Sequence, residues 1–304
     1  MKQTIKMGLA LGILFVLSSM NVFSQGYIEG SFIPNRDFLD DDKNKLGTAN
    51  EWQISGRYTM QFSAKVNGQR QPIVWAGTVS GQYVKMNNQE GACEVNPNEV
   101  LNLSFNVAHR RPLSERWYML VTIGAGVYSA PKEITLRSVL ANGGIIFAYK
   151  WRDNLDIGIG AGLTNSYGVP LIVPMGYLKW TTTGKYEIDV EAVNAVKASV
   201  KHQFSDRFSL SLVPFDMSGL TSVVRREGKT KIYGVMRMKS YIRPEWKLSK
   251  WSAIYINAGL ESFHSVRLSD RSIKGFKNTF MGKEKWRLDK GLYMAVGFSL
   301  HPFK

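Results

Sequence analysis

From about Gln25 onward, hydrophobic and polar positions in this chain alternate with a period of two. In EWQISGRYTMQFS, Trp52, Ile54, Gly56, Tyr58, Met60 and Phe62 share one face, and Glu51, Gln53, Ser55, Arg57, Thr59 and Gln61 share the other. Successive side chains on a strand point to opposite sides, so the run predicts a strand with one apolar and one polar face. A sandwich strand in a water-soluble protein alternates in the same way, and length separates the two cases. Crossing a bilayer at a tilt takes ~9–11 residues, as many as this run supplies, whereas ordinary strands have ~5–6. Leu101, Leu103, Phe105 and Val107 alternate with Asn102, Ser104, Asn106 and Ala108. Ile157, Ile159, Ala161 and Leu163 alternate with Asp156, Gly158, Gly160 and Gly162. Ile232, Met236, Met238 and Ile242 oppose Lys231, Arg237, Lys239 and Arg243, and Leu292, Met294, Val296, Phe298 and Leu300 share a last face.

These patterns predict about 14 strands, at 27–33, 51–63, 73–85, 99–109, 116–129, 138–151, 155–165, 170–181, 185–193, 196–204, 207–217, 230–246, 251–264 and 290–303. Short turns (RRPLSER, WRDN, TTG, FSD, KLSK) fall at every second connection, and longer loops, notably 34–50, 86–98, 218–229 and 265–289, mostly take the others. Turns on one side and loops on the other are the layout of a membrane barrel with periplasmic turns and extracellular loops. The expected fold is therefore all-β: a transmembrane antiparallel up-and-down β-barrel occupying 25–304, with both termini periplasmic. A 12-stranded version is the alternative, because 170–204 is tightly spaced and Pro170 and Pro174 weaken a strand start. Trp75, Trp117, Tyr118, Tyr149, Trp151, Trp180, Trp246 and Trp251 fall near strand ends, as in an aromatic girdle at a membrane boundary.

Composition changes the picture in three places. Hydrophobic residues are 44% of the 304, an average that fits a soluble protein but also a wall whose lipid and lumen faces cancel. The first 24 residues read as a cleaved signal peptide: Lys2 and Lys6, an apolar run from Met7 to Leu17, and Val22 and Ser24 before a cut near Gln25. The run is too short for a spanning helix, and no cysteine at the cut suggests a lipid anchor. The lone Cys93 leaves an exported chain without a disulfide framework. The formal charge is +15, or about +13 without the two signal lysines, which points to lipid phosphates or anionic solutes, not to nucleic acid.

The stretch GIGAGLTNSYGVPLIVPMGYLKW, then YEIDVEAV, then QFSDRFSLSLVPFDMSG, together Leu155 to Gly219, resembles an uncharacterised outer-membrane β-barrel family of Bacteroidetes-type bacteria, a domain of unknown function. The signal ending SQG and the late aromatic Phe303 also fit that group, while Lys304 after Phe303 departs from its usual terminal aromatic. The resemblance implies a barrel and an outer-membrane address, with barrel-assembly machinery as a partner, and carries no functional residues.

Candidate chemistry follows from facing. Charges on lipid-exposed positions cost about 2–4 kcal/mol at the midplane. Arg57, the acidic ladder Glu187, Asp189 and Glu191, and the basic ladder Lys231, Arg237, Lys239 and Arg243 are therefore expected to face the lumen. There they form either the walls of a polar channel or an internal salt-bridge network. The basic loop Arg267, Arg271, Lys274, Lys277, Lys283, Lys285 and Arg287 is expected outside, against anionic lipid head groups or an anionic ligand. Asp40, Asp42, Asn44, Thr48 and Glu51 match part of a calcium loop, but Lys45 replaces its central glycine, so no metal is expected. Ser262 and His264 share a strand face, with Glu261 on the other, the wrong side to orient the imidazole. No catalytic residue, enzyme activity or cofactor is expected. The leading function is a passive, porin-like channel with a charged lumen. A structural or secretion-partner barrel comes second, and an outer-leaflet lipid acyl-hydrolase third.

Overall fold

The computed structural model describes residues 25–68, 71–193, 195–226, 228–281 and 286–300. The signal segment 1–24 and the terminal residues Phe303 and Lys304 lie outside them. In chain order the elements are β1 (Gln25–Asp40), β2 (Lys45–Val66), β3 (Pro72–Glu90), α1 (Ala92–Val95), β4 (Glu99–Pro112), β5 (Trp117–Ser129), β6 (Val139–Arg152), β7 (Leu155–Thr164), β8 (Leu171–Thr182), β9 (Tyr186–Ala192), β10 (Val196–Gln203), β11 (Phe208–Arg226), β12 (Lys229–Lys247), β13 (Ser252–Asp270), α2 (Ile273–Met281), β14 (Trp286–Leu288) and β15 (Gly291–Leu300).

Each strand from β1 to β13 pairs antiparallel with its sequence neighbours, and β15 returns to pair with β1 through Gly26↔Leu300 to Phe32↔Met294. Both β14 and β15 lie between β13 and β1, so they are one wall position interrupted at Asp289 and Lys290. The wall is thus a closed cylinder of 14 positions. Closure gives every wall position a partner on both sides over at least part of its length, which satisfies the backbone N–H and C=O groups there as hydrocarbon demands. The expected alternation is present in β2: Trp52, Ile54, Met60 and Phe62 are 57%, 58%, 41% and 54% exposed on the outside, whereas Glu51 and Gln53 are 3% and 8% exposed inside. Outside, rings line the short-turn end. Trp75 stacks on His109 at 4.0 Å, Trp117 lies 5.0 Å from Tyr149, and Phe208 lies 5.2 Å from Trp246. Tyr118 is the exception among the expected girdle residues. It points inward, is buried, and donates to Asp156 Oδ2 at 2.7 Å.

Two of the long loops are not loops. The expected loop 34–50 is mostly hairpin, with β1 reaching Asp40 and β2 starting at Lys45, and 218–229 is almost all strand, with β11 reaching Arg226. Pairing continues to the hairpin tips, with Leu39 opposite Lys45 and Arg226 opposite Lys229. The register slips in several places, and three of these slips shape the lumen. Extra residues sit in β1 between Ile33 and Arg36, in β11 between Val213 and Asp216, and in β13 at Ser262. Pro34 and Pro214 fall inside the first two bulges, where a missing N–H breaks no ladder bond.

At the long-loop end the cylinder narrows. The upper part of β11, beyond Met217, has no β10 partner. It leans across to β5 instead, with Val223 opposite Ser129 and the Ser129 hydroxyl donating to the Val223 carbonyl at 3.1 Å. Consecutive residues Ser222, Val223 and Val224 are all buried, as expected when both faces of a strand are covered. On one face Leu220, Val224, Tyr233 and Val235 pack with Phe38, Ala49, Val84, Met86, Val100 and α1. On the other, Val223 and Ile232 pack with Leu140, Tyr167 and Phe276 of α2. Apolar side chains therefore fill this end of the lumen.

Candidate functional site

The lumen is built in three layers. The first is the apolar seal just described. Tyr233 lies at its base, fully buried, and donates its hydroxyl to Asn96 Oδ1 at 3.2 Å.

Beneath it lies a buried ionic layer. Arg237 of β12 donates to Glu51 Oε1 of β2 at 2.5 Å and to Gln53 Oε1 at 3.3 Å. Arg36 of β1 donates to Glu261 Oε1 of β13 at 2.5 Å and lies 3.9 Å from Glu51 Oε2. His264 Nδ1–H donates to Glu261 Oε1 at 2.6 Å. The bulges build this layer. Without the extra residue at Ser262, Glu261 and His264 would face opposite sides; with it, the pair spaced i,i+3 turns inward together. The β1 bulge does the same for Arg36 after Ile33. The expected mismatch between Glu261 and His264 is therefore overturned, because strand parity resets at a bulge. The Ser262 hydroxyl and His264 Nε2 are buried, with no hydrogen-bond partner among the described residues.

The third layer is a cavity of about 760 Å³ running from Gln25 and Leu300 at the short-turn rim up to Tyr128 and Thr221. Its cations are Arg57, Lys197, Arg237, Lys239 and Arg243, and its acids Glu29, Glu191, Asp216 and Glu245. Glu29 is the densest node: it accepts from Tyr293 at 2.9 Å, Asn257 at 3.0 Å and Tyr255 at 3.1 Å, with Arg243 at 3.8 Å. Asp216 accepts from Tyr241 at 2.7 Å and pairs with Lys197 at 3.8 Å. Lys201 pairs with Glu245 at 2.9 Å, and Lys239 sits 4.2 Å over the Tyr293 ring. Arg57 makes no ion pair among the described residues.

Of the lumen charges expected from sequence, Arg57, Glu191, Arg237, Lys239 and Arg243 line this cavity. Glu187 and Asp189 share the face of Glu191 on β9 and are exposed, and Asp189 accepts from Thr181 at 3.3 Å. Lys231 lies at the packed end, in register with Val224 and Asp270. Cavity-lining charges and a buried salt-bridge network thus occur together, in successive layers. Arg36, Glu29, Asp216 and Glu261 are additional members; only Glu29 was legible, through its alternation with Ile28, Gly30 and Phe32.

The expected basic loop is divided. Arg267 lies within β13 and Arg287 within β14. Arg271 is turned inward as a clamp, donating to the carbonyls of Arg137 at 2.6 Å, Ser166 at 3.2 Å and Asn165 at 3.3 Å. Half-burial and the nearby Arg137 charge lower its guanidinium pKa. Lys274 and Lys277 stand exposed on α2, and Lys283 and Lys285 lie outside the described residues. The partial calcium pattern does not converge: Asp40 accepts from the Asn44 backbone at 2.8 Å and side chain at 3.1 Å, while Glu51 faces the lumen.

Among solved structures, an outer membrane channel from Pseudomonas putida F1 is similar over 93% of this chain and 96% of its own, at 5% identity and a TM-score of 0.41. The translocator domain of the autotransporter NalP from Neisseria meningitidis covers 99% of this chain and 96% of its own, at 8% identity and a TM-score of 0.35. The toluene transporter TodX of Pseudomonas putida covers 93% and 90%, at 8% identity and a TM-score of 0.33. No curated protein matches the chain. A family description does match, over residues 20–301, nearly the whole length of the barrel, and the chain belongs to that family, the domain of unknown function DUF6268.

Proposed function

We propose that this chain is an outer-membrane channel for small polar solutes, entered from the short-turn, periplasmic side and shut in the described state by the apolar packing at the long-loop end. The observation that carries the reading is the charged cavity of about 760 Å³ inside the ring of paired strands. A barrel serving only as a scaffold has no need of such a volume, since side chains alone can fill a smaller cylinder. Opening requires the upper β11–β12 hairpin to move away from β2, β3 and β4. Lys274 and Lys277 on α2 support contact with anionic head groups at the outer surface. Glu261 and His264 do not line the cavity, which supports a structural role for them over acyl hydrolysis.

The test is current through planar bilayers. The wild-type barrel should open intermittently. Phe38→Ala with Tyr233→Ala, which hollows the seal, should stay open much longer, and Arg57→Glu should shift the selectivity of those openings toward cations. A folded, heat-modifiable barrel that passes no current in either form refutes the channel reading.

A further inference from the structure

The wall has a window. Strand β9 has 7 residues and β10 has 8, fewer than the ~9–11 a tilted strand needs to cross a bilayer. Their hairpin therefore stops short, and the strands on either side lose their partners above it. On β8 only Leu178 to Thr182 pair with β9, so Leu171 to Tyr177 are bonded to β7 alone. On β11 only the part up to Met217 pairs with β10. Higher up, the gap is closed by Leu171, Tyr167, Val223 and Ile232 packing together. What remains is bounded by Val173–Tyr177 on one side, Met217–Thr221 on the other and the β9–β10 hairpin below. It is about four residues tall, or ~13 Å along the strands.

Three observations give the window a meaning. First, it lies at membrane depth. Ile172 on β8 and Ile159 on β7 are 76% and 77% exposed on the outer face, and Trp180 of the girdle lies on the same strand below them. Second, the lumen reaches it: the cavity that touches Ser55, Ser80 and Ser104 inside the barrel also touches Ala195 at the hairpin and Gly219 and Thr221 on β11. Third, unpaired strand edges at this depth are tolerated only where they are buried or line a water-filled space. Pro174, which has no N–H to donate, falls in the unpartnered part of β8.

The rim is mixed. Val196 and Gly219 are exposed at it, and Arg57, Lys197 and Arg243 line the cavity just inside. Glu191, at the lower edge, is flanked in register by Lys179 and Lys197. We infer that this window is a lateral portal through which a single-chain amphiphile with an acidic head group passes between the lumen and the surrounding leaflet. Its apolar chain would cross at Val196 and Gly219, and its head would meet the cations inside. The inference deepens the channel reading and rests on it, because it uses the same aqueous lumen.

The test places a bimane fluorophore on Ser104→Cys, inside the cavity, in a Cys93→Ser background, with the full barrel in lipid vesicles. Three quenchers are compared: iodide, lauric acid carrying a nitroxide on its chain, and a two-chain phospholipid carrying the same nitroxide. Iodide and the labelled lauric acid should both quench Ser104→Cys, and the phospholipid should not. Gly219→Trp, or Thr221→Trp if the first does not fold, should remove quenching by the lauric acid and leave that by iodide. A barrel in which iodide reaches Ser104→Cys but the lauric acid does not, or in which the tryptophan variants change nothing, overturns the portal alone. A barrel that iodide cannot enter overturns the channel reading beneath it.

Discussion

Removing Glu51 should cost the barrel more stability than removing any surface charge. Arg237 is 2% exposed and Glu51 3%, so water offers little compensation for a lost partner. In Glu51→Ala the Arg237 guanidinium keeps only the Gln53 amide oxygen at 3.3 Å. Arg36 also loses the second carboxylate at 3.9 Å, while keeping Glu261. Breaking one side of a buried pair typically costs about 3–5 kcal/mol, because a charge is left uncompensated. The Gln53 contact places this case at the lower end. The double variant Glu51→Leu with Arg237→Met removes both charges and should return to within about 1 kcal/mol of wild type, since apolar replacement of a buried pair is often neutral. Urea unfolding of the reconstituted barrel, followed by tryptophan fluorescence, measures both. A single-variant loss below about 1 kcal/mol, or a double variant weaker than the single, refutes the buried-layer account.

The remaining expectations are simpler. Gly160 faces the lumen side of β7, where an added Cβ would lie 2.8 Å from Ile146 Cα; Gly160→Val should cost about 1–3 kcal/mol in the same unfolding assay. Arg271→Ala should release the loops at Arg137 and Asn165–Ser166 and show as faster proteolysis there with the wall intact. The Lys150 ammonium 2.8 Å from Asp153, in the β6–β7 turn, holds that carboxyl below its usual range. Its contribution is present above the unfolded value and lost as pH falls through the folded one, so Lys150→Gln should raise the Asp153 titration midpoint measured by NMR.

The cylinder was legible because period two survives in almost every strand. Trp52 to Phe62 faced lipid as read, and the tightly spaced region 170–204 did contain separate strands, β8, β9 and β10, as the 14-strand count required. The hidden features arise where the period breaks. One inserted residue at Ser262 reversed the facing of Glu261 relative to His264, and no local pattern marks a bulge built from ESFH. The loops expected at 34–50 and 218–229 were overestimated because pairing across each hairpin keeps Asp37–Leu39 and Leu220–Arg226 extended. The seal was invisible for a further reason: Leu220, Val224, Tyr233 and Val235 look like ordinary wall residues until the strand leans across to Ser129. The shortness of β9 and β10 was on the page, but its consequence depends on where their neighbours end.

The central claim is that one side of this wall touches hydrocarbon and the other a wet interior. The most direct measurement is a nitroxide scan of 52–62 in lipid, one cysteine at a time in the Cys93→Ser background, reading collision with oxygen and with a water-soluble nickel chelate. Labels at 52, 54, 58, 60 and 62 should favour oxygen, and those at 53, 55, 57, 59 and 61 the chelate. Equal access of the chelate to both sets would contradict the barrel.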